Sequence, residues 1–303
     1  MEKLSLNEVF EKARNIAQST SPKATFLLDY AVSKHIREYL NLCYAYLRWV
    51  DDIVDNPEIT LSEKKSFINR QISLIESYKN NFKREPVVIE EYFLKYFIRF
   101  SIENSLDILI DSVFYMVNTI SWDVERLERD GLFTQGQLNN YIDIQSESFY
   151  KILYYFSSKN DPSKNSHDNL GISNACTRLY MIRDLEEDID AGFINISRED
   201  IASYNIDLKN LKQDKNLSIW VEDQINNILN SIYNESTRLR LIPLKQKIFF
   251  WYLFSYYLNN IIRYRVYGHT LGKNKKRSFL REVKTYLQSI LISLRLFGKV
   301  FIK

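Results

Sequence analysis

The chain has 303 residues, of which 45% are hydrophobic, and its 41 basic and 38 acidic side chains leave a formal net charge of +3. That balance excludes recruitment to nucleic acid by bulk charge, and the length is enough for one large core. With only 7 Gly and 5 Pro, turn residues are too sparse for a strand-rich fold, so an all-α protein is expected.

Apolar periodicity predicts helices in chain order over 5–18, 24–55 with an interruption at Ser33–Lys34, 60–81, 87–120, 134–158, 168–190, 216–236, 241–267 and 275–300. The polar stretches 157–169 and 203–218 read as surface loops, too short and unbiased for linkers, and no repeat is visible. A single helical domain over 1–303 is the expectation. The N-terminal "MEKLSLNEVFEKARNIAQ" lacks the apolar centre of a signal peptide, and no window of about eighteen apolar residues predicts a spanning helix. Cys43 and Cys176 lie in apolar runs without CxxC spacing, as reduced core thiols of a cytoplasmic protein would. His35, His167 and His269 are scattered and form no zinc pattern.

Within 24–55 the run "RWVDDIVDN" (48–56) places three aspartates in a helix that is apolar on nearly every side. Asp51 and Asp55 share a face one turn apart, with Asp52 beside them and Arg48 a turn earlier; Tyr44 lies on the Arg48 face. One arginine does not balance three carboxylates, so the face either opens on water or holds metal.

A second run, "RLYMIRDLEEDIDAG" (178–192), repeats this logic. Thr177, Met181, Asp184 and Asp188 fall on one stripe bordered by Tyr180 and Glu187, with Arg183 adjoining. Paired acids at this spacing often belong to solvated faces, but two such pairs inside apolar helices point to a shared hard cation. Carboxylates without histidine or cysteine nearby favour Mg²⁺, which bridges to phosphate oxygens, so a diphosphate is the expected ligand, with Arg48 and Arg183 as its partners. The aromatic run "QKIFFWYLFSYYL" (246–258) is either core or the wall of an apolar cavity. The terminal "LISLRLFGKVFIK" (291–303) mixes apolar and basic residues as an interfacial helix does, with packing against the domain as the alternative.

"YAYLRWVDDIVD" (44–55) resembles the first aspartate-rich motif of the squalene and phytoene synthases, and "RDLEEDIDAG" (183–192) resembles their second. The likeness spans about residues 19–295. It implies a single-domain, all-α isoprenoid-synthase bundle around a central cavity, in which two or three Mg²⁺ ions grip allylic diphosphates. Carried over by position, Asp51, Asp55, Asp184 and Asp188 match metal ligands, with the acids Asp52 and Glu187 next to them. Arg48, Arg183, Lys23 and Tyr141 match diphosphate or reaction-centre positions, and Tyr141 or Tyr44 would position the diphosphate or receive a proton. Lys273, with Lys275, Lys276 and Arg277, would add phosphate-binding charge or form a solvated basic loop. The chain departs from the pattern at Thr177 and Tyr180, where the family has Gln and Asn, in "GFINIS" (192–197), and in "SESFY" (146–150), where small residues are expected. Glu147 and Tyr150 would fill or polarise the tunnel.

The implied reaction is head-to-head condensation of two prenyl diphosphates to a squalene- or phytoene-type product. Prenyl transfer to a non-isoprenoid acceptor, cyclisation of one chain, a helical nucleotide pyrophosphohydrolase and a catalytically silent scaffold are the alternatives. NADPH use, prenyl chain length and oligomeric state are left open, no nucleic-acid partner is expected, and the C-terminal helix would give peripheral membrane contact.

Overall fold

The structure, a computed structural model, describes residues 5–158 and 170–235 and the single positions 244, 258, 283, 287, 288, 291 and 294. The described chain forms helices α1 (Leu6–Thr20), α2 (Pro22–Ala31), α3 (Lys34–Asp55), α4 (Leu61–Asn80), α5 (Ile89–Glu103), α6 (Asp107–Leu127), α7 (Gln135–Ser158), α8 (Leu170–Ala191), α9 (Arg198–Tyr204) and α10 (Lys215–Glu235). A 3-10 turn, Leu208–Gln213, precedes α10. By contact the chain divides into two compact units, Met1–Asp130 with Glu147–Ser166 and Gly131–Ser146 with His167–Lys303.

In the first unit, α1 and α4 start at capping boxes. Ser5 and Thr60 accept the backbone N–H of Glu8 and Glu63, whose carboxylates accept the cap residues' N–H in return. Helix α3 packs against α1, α5 and α6. It buries Leu40, Leu42, Cys43, Ala45, Tyr46, Val50 and Val54, which is why its sequence reads apolar nearly all round. Val9, Ala13 and Ala17 recur every fourth residue on the buried face of α1, and small side chains there allow α1 to lie close to α3. Each fully buried large apolar side chain contributes about 1.5–3 kcal/mol. The buried Glu91 carboxylate is satisfied by the Nε and Nη2 donors of Arg70, each at 2.7 Å, by Gln71 at 3.3 Å and by the Val87 N–H at 2.7 Å. That network ties α4 to α5 at no cost in orphaned charge.

The helix predicted over 87–120 is two helices, α5 and α6. Ser105 takes φ 56°, and the Leu106 and Ser105 N–H groups return to the carbonyls of Ser101 and Ile102 at 2.8 and 3.0 Å. This is a Schellman closure built without glycine, so the usual stop signal is missing from the sequence. The loop predicted over 203–218 also carries order: the 3-10 turn lies inside it, and α9 ends at Asn205 with φ 53°.

In the second unit two glycines set the path around the second acidic run. Gly192, at φ 88°, ends α8; the Phe193 N–H reaches the Asp188 carbonyl at 2.8 Å, and the Gly192 N–H reaches Ile189 at 3.1 Å. Gly131, at φ 75°, presses so closely on this turn that an added Cβ would lie 2.5 Å from the Gly192 oxygen. A parallel bridge then pairs Leu132 with Ile194, and the Arg198 N–H bonds to the Phe133 carbonyl at 3.0 Å. Gly131→Ala is therefore expected to destabilise the protein by about 2 kcal/mol or more through positive φ and backbone contact, measured as a lowered urea midpoint.

The predicted helices 241–267 and 275–300, with most of the aromatic run 246–258, lie outside the described residues. The described positions within these stretches are helical; Leu258 is buried, whereas Leu244 is exposed. Among the described residues, no helix is long and apolar enough to cross a membrane.

Candidate functional site

The first acidic run lies at the C-terminal end of α3. Arg48 reaches forward along the helix to Asp51 at 3.4 Å and Asp52 at 2.5 Å. Burial, then Asp55, with smaller contributions from Asp123 and Asp52 and against the pull of Arg48, pushes the Asp51 carboxyl up to about 8. The Asp51 side chain keeps 44% of its surface accessible, so the neighbouring carboxylates are essential to this shift. Asp55 is raised to about 6 by burial and then by Asp123 and Asp52, opposed by Arg48 and Lys64.

Two residues of this cluster were not legible as site residues. Asp123, buried on α6, is paired with Arg126 at 2.8 Å and raises both Asp51 and Asp55. Lys64, buried in the first turns of α4, is pulled below its ordinary range by burial while Asp55 holds it up. Helices α3 and α6 thus concentrate like charge in one region of the first unit, which Lys64 of α4 offsets in part. Either protons or a cation must relieve it.

The second acidic run lies near the C-terminal end of α8. Arg183 grips its neighbour Asp184 with Nε on Oδ1 at 2.6 Å and Nη2 on Oδ2, and its guanidinium lies 3.8 Å above the Tyr180 ring. The cation–π contact holds the arginine in place, and the bidentate bond then orients Asp184. Beyond the Gly192 turn, the Asn195 amide donates to Asp188 Oδ2 at 2.7 Å. Asn195, noted in the sequence only as a departure in "GFINIS", is thus a support for Asp188. Glu187 is exposed on the same helix.

The remaining predicted positions separate clearly. Tyr44 Oη is shared between Thr20 Oγ1 at 3.0 Å and Ser21 Oγ at 2.9 Å. Tyr141 is buried, accepts from Gln145 at 2.8 Å and packs against Phe133. Lys23 occupies the first turn of α2, with its side chain outside the described ones, and Lys273 lies outside the described residues altogether. Thr177 joins a hydroxyl web in which Ser146 donates to it at 3.0 Å, while Thr177 donates to the Ser173 carbonyl at 3.1 Å and Ser173 to the Ser146 carbonyl at 2.7 Å. Thr177 thereby joins α8 to α7. Tyr150 is buried with its ring 5.6 Å from Tyr154, and Glu147 pairs with Lys151. Cys43 and Cys176 are free and buried, and burial raises both thiols, so neither is poised as a nucleophile.

No protein-family model matches the sequence, and no curated protein is similar to it at the sequence level. Solved structures do match. A dehydrosqualene synthase superimposes with a TM-score of 0.67 at 14% identity, over 94% of this chain and 96% of that one. The squalene synthase HpnC from Alicyclobacillus acidocaldarius gives 0.64 at 15% identity, over 87% and 95%. TcSQS gives 0.66 at 16% identity, over 97% and 90%. The chain therefore has the all-α isoprenoid-synthase fold of the squalene and dehydrosqualene synthases.

Proposed function

We propose that the protein is a Mg²⁺-dependent prenyltransferase that ionises an allylic prenyl diphosphate, with head-to-head condensation of two prenyl diphosphates as its reaction. The observation that carries this reading is the crowding of Asp51, Asp55 and Asp123, where burial and then mutual repulsion hold Asp51 and Asp55 above the ordinary carboxylate range. A stable fold retains such a cluster at a cost, and a bound divalent cation removes that cost.

The donor set fits Mg²⁺, since both clusters offer carboxylate oxygens alone. Among the described residues no three His, Cys, Asp or Glu side chains form a finished metal cage. Mg²⁺ ordinarily takes one or two carboxylates and completes its shell with water and phosphate oxygens. Asp51, Asp55, Asp184 and Asp188 would hold the ions, with Asp52, Glu187 and Asp123 beside them. When bound, the metal neutralises charge on the departing diphosphate. Arg48 and Arg183 donate to diphosphate oxygens as the C–O bond breaks and its electron pair leaves with the diphosphate. Tyr44 and Tyr141 offer hydroxyls that orient the diphosphate or take up a proton. Apolar helix faces keep water from the allylic cation until the double bond of the second substrate attacks it.

Incubation with Mg²⁺ and prenyl diphosphates of graded length, followed by solvent extraction and mass analysis, tests this reading. A hydrocarbon or cyclopropyl diphosphate of twice the donor length is the expected product. A specific observation also favours a second reading. Tyr150 is buried where the family has a small residue, and Thr177 and Tyr180 serve contacts within the chain. These substitutions suit a compact acceptor or a single prenyl chain, which the same assay would register as a shorter product. Absence of product with every donor would favour the silent scaffold, and turnover of nucleotides alone would favour the pyrophosphohydrolase.

Asn195 gives a milder test. Removing a group that orients a ligating carboxylate lowers metal affinity by about 10–100-fold. Asn195→Ala is expected to weaken Mg²⁺ binding, titrated calorimetrically, by that amount while the far-ultraviolet spectrum is unchanged.

A further inference from the structure

The second unit contains a cleft that the diphosphate chemistry does not use. It lies among the first half of α7, α8, α9 and α10, with a volume of about 390 Å³, and opens partly to solvent. Arg178 of α8 and Asp200 of α9 both line it. Arg178 follows Thr177 directly, which turns it about 100° around α8 from the acidic stripe. The cleft is thus separate from the second acidic run.

Arg178 is partly buried, and its fork is fixed by two amide oxygens: Nε donates to Asn174 at 2.8 Å and Nη2 to Asn139 at 2.9 Å. Neither partner carries charge. Asp143 and Asp200 attract the guanidinium only from a distance, and burial outweighs them, pulling it below its ordinary range. Asp200 is oriented by Trp220, whose Nε1 donates to Oδ2 at 2.9 Å, while Oδ1 accepts from no described residue. The Gln224 amide also lines the cleft and bonds to no described residue.

A cation, a carboxylate oxygen and an amide therefore share one hollow with hydrogen-bonding capacity unused inside the chain. A ligand that satisfies all three carries negative charge for Arg178, an acceptor oxygen for Gln224 and an O–H for Asp200. Hydrogen phosphate has each of these. Sulfate matches it in shape and charge but has no proton at neutral pH, so its oxygens would face the Asp200 carboxylate without a hydrogen between them.

We propose that this cleft binds hydrogen phosphate, with Arg178 and Gln224 donating to its anionic oxygens and Asp200 accepting its O–H. The site goes beyond the catalytic reading, since it requires neither Mg²⁺ nor prenyl substrate.

The test is isothermal titration of the full chain with sodium phosphate at pH 8, with EDTA present to keep Mg²⁺ from the aspartate clusters. One phosphate per chain is the expected result. Sulfate should bind more weakly by about tenfold or more, and so should methyl phosphate, which has lost its last proton at this pH. Gln224→Glu breaks no bond within the chain but sets a second carboxylate beside the anion, and should weaken phosphate binding by about tenfold or more. Asp200→Asn keeps an oxygen for Trp220 and turns the acceptor into an N–H donor, so sulfate should then bind as well as phosphate. Both variants should keep the circular dichroism spectrum of the wild type. Arg48→Gln with Arg183→Gln should leave phosphate binding at the wild-type value, which separates this site from the diphosphate site. No phosphate binding by the wild type would overturn the proposal, because the cleft would then hold water alone. So would equal binding of sulfate, unchanged affinity in Gln224→Glu, continued rejection of sulfate by Asp200→Asn, or loss of phosphate in the Arg48 and Arg183 variant.

Discussion

Asp51→Asn and Asp184→Asn are each expected to lower kcat/KM for prenyl diphosphate turnover by about a hundred- to a thousandfold, with the protein still folded. Under the proposed function each would remove a charged metal ligand, and the loss of one preorganised electrostatic contact to a developing anion costs on the order of a hundred- to a thousandfold. The two variants should differ in stability, which distinguishes their surroundings. Asp51 is repelled by Asp55, Asp123 and Asp52, so neutralising it relieves strain and should raise Tm. Asp184 instead accepts the two-pronged bond of Arg183, in a pair whose side chains are 23% and 19% exposed. Its neutralisation should lower stability by about 1 kcal/mol, the ordinary value of a partly wet charge-assisted bond. Equal turnover in wild type and both variants would remove the aspartates from the chemistry.

The second large effect is on the pH dependence of Mg²⁺ binding. In the metal-free protein Asp51 and Asp55 are raised from about 3.8 to about 8 and about 6. A raised carboxyl favours the folded state while it is protonated. Its contribution is complete below the ordinary carboxylate value and is lost as pH climbs through the raised values. From these groups, Tm without Mg²⁺ should fall between pH 5 and pH 8. Mg²⁺ requires both carboxylates ionised, so its binding expels their protons. Apparent affinity should therefore rise by about a hundredfold or more over the same range, a discounted figure because Asp51 is partly in water. Isothermal titration in two buffers of different ionisation heat measures the protons released. More than one proton at pH 5 and fewer than one at pH 8 is the expected result, and a pH-independent affinity would show that the cluster is not the metal site.

What the sequence revealed was mainly local. The spacing of Asp51 with Asp55 and of Asp184 with Asp188 follows from helix geometry, and both pairs lie on the helices expected for them. Apolar periodicity placed helix starts near 5 and 60, where Ser5 and Thr60 cap α1 and α4. Stops were harder, because Ser105 adopts positive φ without being glycine and so concealed the break between α5 and α6. Partners brought in by tertiary packing left no signal of their own. Asp123 is one of four acids spread along α6, and Lys64 is a lysine in an ordinary first turn, until α4 and α6 bring both to Asp55. Asn195 and Thr177 were visible as departures from a family pattern. Only the fold reveals that one supports Asp188 and the other joins α7 to α8.

The central claim is that both aspartate clusters serve one metal-bound diphosphate. A crystal structure of the protein with Mg²⁺ and a thio-substituted prenyl diphosphate that does not ionise tests this most directly. The account predicts Mg²⁺ ions bonded to diphosphate oxygens and to carboxylates of Asp51, Asp55, Asp184 and Asp188, with the Arg48 and Arg183 side chains on the same diphosphate. A structure in which the two clusters open onto separate solvent surfaces, with the diphosphate bound to neither, would contradict it.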